Sequence, residues 1–302
     1  MLFIKSVLFY KKYKVKDSII IFSEKRGGST WLLEVISNLP KTTVNWEPLN
    51  GLGVVPKDFN FGENPHIPFD NDDSKYIKLF DKILTFKISS NYTLSYCRAK
   101  TLLASNKVIT KFVGANMISE WLLYNFNFNT KPIFLIRNPI DCCISQLLAF
   151  KRHYKGRIKS RLPLSLNNKR FLKHQKYLSS LEDDLEYQIG LWLINNMEVI
   201  KSERVREDCT IVYYEELIIN PDQEFKKLFD NLGYNEEIIK KIDFKRPSDS
   251  DFKGGFDPDP NKQLFKNLDR LSANTKIKIQ NIYDYFNFKL YDVTSPFPRK
   301  RL

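Results

Sequence analysis

No run of eighteen apolar residues occurs anywhere in the 302-residue chain, so no transmembrane helix is expected. Cysteine is scarce. Cys97, Cys142, Cys143 and Cys209 are the whole supply, none at C-x-x-C spacing, and Cys142 and Cys143 are adjacent on a helical pattern and so point to different faces. That argues against a zinc site or a disulfide framework, and a reducing, cytoplasmic compartment is expected. The opening "MLFIKSVLFYKKYK" lacks a long apolar core and a small-residue cleavage site, so no signal peptide is expected. The same stretch is compatible with weak contact at a membrane surface. No internal repeat occurs. Acidic side chains are outnumbered, 35 against 48 Lys and Arg, for a net charge of +13. Such a balance favours anionic partners, although a solvated lysine-rich surface has the same composition. With 42% hydrophobic residues, including 23 Phe and 15 Tyr, the chain is not a disordered one.

What is present alternates. The runs "SIIIF" (18–22), "KILTFKI" (82–88), "KVITKFV" (107–113), "PIFLI" (132–136) and "CTIVYY" (209–214) predict strands, nearly continuous in apolar character, as strands covered on both faces are. Helical patterns over 29–39, 116–126, 139–150, 173–203 and 222–232 lie between them, with a C-terminal helix over 270–290. This order implies an α/β fold with a parallel sheet of about five strands, flanked by helices on both faces. Residues 47–75 and 243–262 read as long loops, and loops of that length in a compact domain are usually functional or mobile. Residues 151–170 hold eight Lys and Arg, a basic cluster that suits a binding site or a solvated insertion equally.

The sharpest signal is "SEKRGGSTWLLEVI" (23–36). A buried strand ends, Gly27 and Gly28 allow a tight turn, and a helix begins near Ser29. The first helical N–H groups have no intrahelical acceptor and sit at the positive end of the dipole, so they receive an anion. A nucleoside triphosphatase would place Lys after the last Gly; here Ser29 stands there, and the basic Lys25 and Arg26 precede the glycines. A second segment, "KPIFLIRNPIDCCISQLLAF" (131–150), ends a strand in Arg137 and starts a helix with Asn138 as N-cap and Pro139 in the first turn. Ser145 follows on that helix.

The order basic residue, small residue, Gly, Ser/Thr, Ser/Thr, Trp resembles the 5′-phosphosulfate loop of the sulfotransferases that use 3′-phosphoadenosine-5′-phosphosulfate (PAPS) without a metal. Arg137 and Ser145 match the family's 3′-phosphate segment. Tyr214, in "IVYYEELIINPDQEFKKLFDNLG" (211–233), matches the aromatic near the adenine, and Ser248 and Lys253 loosely fit a cofactor-covering segment. The resemblance implies a single P-loop-NTPase-like domain over 1–302 with its core at 18–240, and substrate-side insertions at 47–75 and 151–170. It implies a cofactor site of Arg26, Gly27, Gly28, Ser29, Thr30, Trp31, Arg137, Ser145, Tyr214, Ser248 and Lys253. "WEP" and "KFVGAN" are more similar to bacterial and carbohydrate-type members than to small-phenol enzymes. The implied reaction moves a sulfuryl group in line to a hydroxyl of a glycan or glycolipid.

Arg26 stays protonated and would stabilise charge at the sulfuryl group. For the base, Glu47 in "NWEPLN" stands where carbohydrate-type relatives carry a Glu, shielded by Trp46 and Pro48. Phenol-type relatives use a His after a middle strand, but His66, His153 and His174 lie in loops or near the basic insertion. Lys87 and Lys111 read as strand lysines, and Lys111 matches a basic position in relatives. Many relatives carry a second basic residue where Gly114 stands, so this chain departs there. Two other readings stay open: a kinase-like nucleotide enzyme, which would need a Gly-Lys-Ser/Thr triplet, and a non-catalytic polyanion binder using 151–170. For an enzyme of the kind implied, no nucleic acid partner and no metal are expected.

Overall fold

The computed structural model describes residues 2–59, 61–62, 64–154, 169–239, 257–300 and 302. In chain order the helices are α1 (Leu2–Tyr10), α2 (Ser29–Ile36), α3 (Ser74–Leu84), α4 (Ala99–Ala104), α5 (Ser119–Asn125), α6 (Pro139–Tyr154), α7 (Lys169–Ser180), α8 (Asp184–Lys201), α9 (Glu203–Asp208), α10 (Tyr214–Ile219), α11 (Pro221–Asn231), α12 (Glu236–Ile239), α13 (Pro260–Phe265) and α14 (Ala273–Tyr285). The strands are β1 (Ile19–Ser23), β2 (Thr42–Trp46), β3 (Lys107–Val113), β4 (Ile133–Ile136) and β5 (Thr210–Tyr213), all parallel, in the order β2-β3-β1-β4-β5.

Successive side chains on a strand point to opposite faces, and here both faces are dry. Ile19 and Ile21 of β1, Ile133 and Leu135 of β4 and Val212 of β5 pack under α2, α10 and α11 through Leu32, Leu217 and Phe225. Ile20, Phe22, Phe112, Phe134 and Ile136 pack on the other side under α3, α5, α6, α8 and α14. A smaller cluster joins Leu8 of α1 and Leu102 of α4 to Phe86, Leu94, Cys97 and Val108. All four cysteines are buried free thiols.

The predicted strand at 82–88 is not one. Ile83 and Leu84 extend the buried face of α3 begun by Leu79 and Phe80. The helix then closes with Phe86 left-handed (φ 53°) and Lys87 N–H donating to Lys82 O, an end that cannot continue as a strand. Lys87 is accordingly no strand lysine; it is exposed and paired with Asp81 at 3.6 Å. The fifth strand is β2, which carries buried polar residues on both faces. Thr42 donates to Leu39 O, Thr43 pairs with Cys97 Sγ, and Asn45 donates to Ile83 O. The predicted helix over 173–203 is two helices. Asp183 caps the second by accepting from Leu185 N–H. At the C-terminus the helix occupies Ala273–Tyr285, inside the predicted 270–290.

The connection after β1 runs to β2 on one side of the sheet, while the connection after β4 runs to β5 on the other. The crevice beyond the carboxyl ends of β1 and β4 is therefore the topological switch point, where open α/β sheets take ligands.

Candidate functional site

At the end of β1 the chain turns sharply. Arg26 and Gly28 are both left-handed, at φ 62° and 90°. A non-glycine residue held there stores local strain of about 1 kcal/mol or more, which points to a functional constraint. Gly28 is fixed by more than its φ: a Cβ would sit 2.6 Å from Cε2 of Tyr214. At Gly27 a Cβ would collide with the Ser23 hydroxyl. Gly28 is the N-cap of α2 and offers no side-chain acceptor, so the N–H groups of Ser29, Thr30 and Trp31 are left for an anion.

Beside this turn, β4 runs into α6. Asn138 Oδ1 accepts from Ile140 N–H at 2.9 Å, as an N-cap should, and Pro139 follows. Arg137 Nη1 donates to Arg26 O at 3.1 Å, and Nη2 pairs with Asp141 at 3.3 Å. Its guanidinium carbon lies 4.2 Å from the centre of the Tyr214 ring. Its Nε is buried and has no acceptor among the described residues. About two helical turns beyond Arg137, Ser145 Oγ accepts from Arg26 Nε at 3.0 Å. The two segments singled out in the sequence thus touch. Behind them, Glu215 accepts from Asn138 N–H at 2.8 Å and from the Tyr291 hydroxyl at 3.0 Å. Burial pushes the Glu215 carboxyl up to about 7.

Trp31 is buried between Tyr214 and Phe225, edge-on to both, and packs as core. Tyr214 is itself buried against Gly28 and Arg137. Ser248 and Lys253 lie outside the described residues, as do 155–168 of the basic stretch and the His153 side chain.

Glu47 follows β2 in a left-handed conformation (φ 38°). The Trp46 ring lies against the Lys111 ammonium that pairs with the Glu47 carboxylate. Oε1 pairs with Lys111 Nζ at 2.9 Å, and Oε2 accepts from the Tyr92 hydroxyl at 2.7 Å. Lys111 stands in register between Ile21 and Trp46 and points to the α2 side of the sheet. Its side chain is 1% exposed. Nζ donates to Thr30 Oγ1 at 3.2 Å and sits 3.4 Å from the centre of the Trp46 ring. Burial pulls this ammonium down to about 8, against the pull of Glu47. Burial, and then the Glu47 charge, push the Tyr92 phenol up, so it stays a donor. Lys111 thereby ties the anion turn to Glu47.

His66 meets Arg170 at 3.0 Å and is pulled down to about 4, first by burial and then by that charge. His174 pairs with Tyr285 at 3.1 Å. Gly114 is left-handed (φ 66°) and donates to Ser23 O, so the position departing from the resemblance serves the backbone.

Sequence reasoning missed Tyr92 and a buried chain behind the turn. Glu24 Oε1 accepts from Lys25 N–H at 2.9 Å, Asn196 Nδ2 donates to Oε2 at 3.3 Å, and Asn116 donates to Asn196 at 2.6 Å. Only the proximity of Glu24 to the glycines could have flagged it.

The family model described as a sulfotransferase domain matches residues 16–290. The chain therefore belongs to the sulfotransferase domain family. No curated protein matches it by sequence. Among solved structures, the mouse sulfotransferase SULT7A1 complexed with PAP is similar at 16% identity and a TM-score of 0.44, covering 94% of this chain and 88% of that one. The sulfotransferase domain of the Synechococcus PCC 7002 olefin synthase aligns at 14% identity and 0.45, covering 93% and 98%. The sulfotransferase domain of the curacin biosynthetic pathway aligns at 17% and 0.46, covering 90% and 98%.

Proposed function

We propose that this member of the sulfotransferase domain family takes PAPS as donor and sulfates a hydroxyl of a glycan or glycolipid, with Glu47 as general base. The observation that carries the donor is the junction of two anion-receiving elements, Arg26 with the start of α2 and Arg137 with Ser145. A ligand phosphorylated at both ends suits that pair. The unpartnered Arg137 Nε is a buried donor in need of an acceptor, which supports a 3′-phosphate there. PAPS supplies the sulfuryl group when bound.

The chain's own groups divide the remaining work. The uncapped N–H groups of α2, with Arg26, hold negative charge in place. Arg26 keeps its proton and acts as a fixed charge. Thr30 Oγ1 accepts from Lys111, which leaves the Thr30 O–H as a donor to the ligand. An ionised carboxylate offers about four lone-pair sites. Tyr92 and, at 3.5 Å, Asn50 donate to Oε2, whereas Lys111 takes one site on Oε1, and the remaining Oε1 site accepts the proton of the incoming hydroxyl.

The Lys111 contact favours a second role for Glu47, holding the ammonium against Thr30. Replacing Glu47 by Gln separates the two: a base loses turnover while bisphosphate affinity stands, whereas a holder of Lys111 loses both. The donor assignment is tested by thermal unfolding with 3′,5′-adenosine bisphosphate and with 5′-AMP. The bisphosphate should stabilise far more, and an equal response overturns the role of Arg137 and Ser145. Labelled-sulfate transfer onto extracted lipids and polysaccharides then identifies the acceptor.

A further inference from the structure

Helix α1 buries one side and carries exposed aromatic rings, with Lys5 and Ser6, on the other. Ile4, Val7 and Leu8 face inward, into the cluster with Tyr13, Phe86, Leu94 and Leu102. The opposite side holds Phe3, Phe9 and Tyr10, which are 57%, 83% and 80% exposed. On the neighbouring α4, Leu103 is 57% exposed. Lys11 Nζ bridges the two elements, donating to Leu103 O at 2.7 Å and Ser105 O at 2.8 Å. The exposed rings and Leu103 therefore belong to one lobe.

The charge around that lobe is mainly of one sign. Residues 1–16 contain no Asp or Glu, and neither do residues 82–119, which supply α4 and its flanks. Lys5, Lys12, Lys14 and Lys16 are exposed beside the rings, and Arg98 and Lys100 are exposed on and next to α4. Grouped exposed aromatics mark an interaction surface. Apolar area alone would fit many partners. A mainly cationic rim around exposed rings, with Asp17 following it in sequence, favours a surface that is anionic and has an apolar layer just beneath, which is the construction of an acidic lipid bilayer. Nine helical residues span about 14 Å, far short of a bilayer core, so the helix would lie along the surface.

We propose that the lobe of α1 and α4 docks on anionic membrane surfaces, with Phe3, Phe9, Tyr10 and Leu103 set among the headgroups and acyl ends and the lysines on the acidic headgroups. This docking stands on the exposed side chains and does not depend on the proposed reaction. The same cluster continues into the segment that carries Tyr92. A docked molecule would therefore have its Glu47 side linked through one packed unit to the lipid.

The test is sedimentation of the full chain with phosphatidylcholine vesicles, with and without phosphatidylserine. The protein should pellet only with the acidic vesicles, and raising the ionic strength should release it. The double variant F9S/Y10S should bind about tenfold or more weakly, with an unchanged Tm because both side chains are exposed. K12E/K14E should lose binding by removing charge alone. A wild-type chain that stays in the supernatant with acidic vesicles overturns the proposal, as does unchanged binding by both variants. Self-association of the wild type on size exclusion, abolished in F9S/Y10S, would assign the face to a second copy and overturn it too.

Discussion

Arg26 donates through Nε to the Ser145 hydroxyl at 3.0 Å, across 119 positions of sequence. The bond aims a guanidinium on the β1 turn at a helix that begins after β4. A hydrogen bond to a charged group is worth about 1.5–3 kcal/mol. Ser145→Ala frees Arg26 and removes a hydroxyl donor, so affinity for 3′,5′-adenosine bisphosphate should fall about tenfold or more in calorimetric titration, and Tm should drop by a few degrees for the lost bond. Arg26→Ala should abolish transfer while the fold survives, because alanine meets the same left-handed backbone. Unchanged affinity in the first variant, or near-normal turnover in the second, contradicts these roles.

Lys111 predicts a pH dependence with opposite signs for activity and stability. Its ammonium is pulled down to about 8 in the fold, from an ordinary 10.5. Transfer that needs this charge should decline as pH rises through about 8, and Lys111→Arg should carry the decline to higher pH. For stability, the unfolded chain binds more protons than the fold between about 8 and 10.5. The cost of burying the charge is therefore fully present below 8 and is relieved as pH climbs through that window. Rate and unfolding profiles of wild type and variant across the alkaline range check both signs. A wild-type rate profile flat through pH 8 would show that the ammonium does not act in transfer.

Gly28→Ala should destabilise the chain by about 2 kcal/mol or more, since the new methyl meets both a left-handed φ and the Tyr214 ring. Gly51→Ala serves as control: a Cβ there has nothing within 4 Å. Equal denaturant midpoints for the two variants would refute the close approach of Tyr214.

The parts of the site that were readable in the sequence are those with local causes. Two glycines after a buried strand, and Asn-Pro after another, announce a turn and a cap through neighbours alone. The parts that escaped depend on distant partners. β2 hides because Thr42, Thr43 and Asn45 are polar, and what makes them buriable is supplied by Leu39 O, Cys97 Sγ and Ile83 O. The 82–88 run has an alternation that fits a strand and an apolar pair that fits a helix, and the burial of Leu79 and Phe80 settles it as helix. Lys111 was visible as an odd strand lysine, but its bond to Thr30 and its pair with Glu47 come from the sheet order. Glu24 looked like loop, because Asn196, its buried partner, is 172 residues away.

β1 and β4 are each braced by a strand on both sides, whereas β2, which ends at Glu47, has only β3 beside it. The two halves of the crevice are thus unequally anchored. The half proposed to hold phosphate cannot be reshaped without rebuilding the middle of the molecule. The rim proposed to meet the acceptor hangs from a border, where segments can be exchanged wholesale. If those assignments hold, grafting foreign sequence into 47–75 is the economical way to redirect such a scaffold toward new alcohols while its nucleotide end stays untouched.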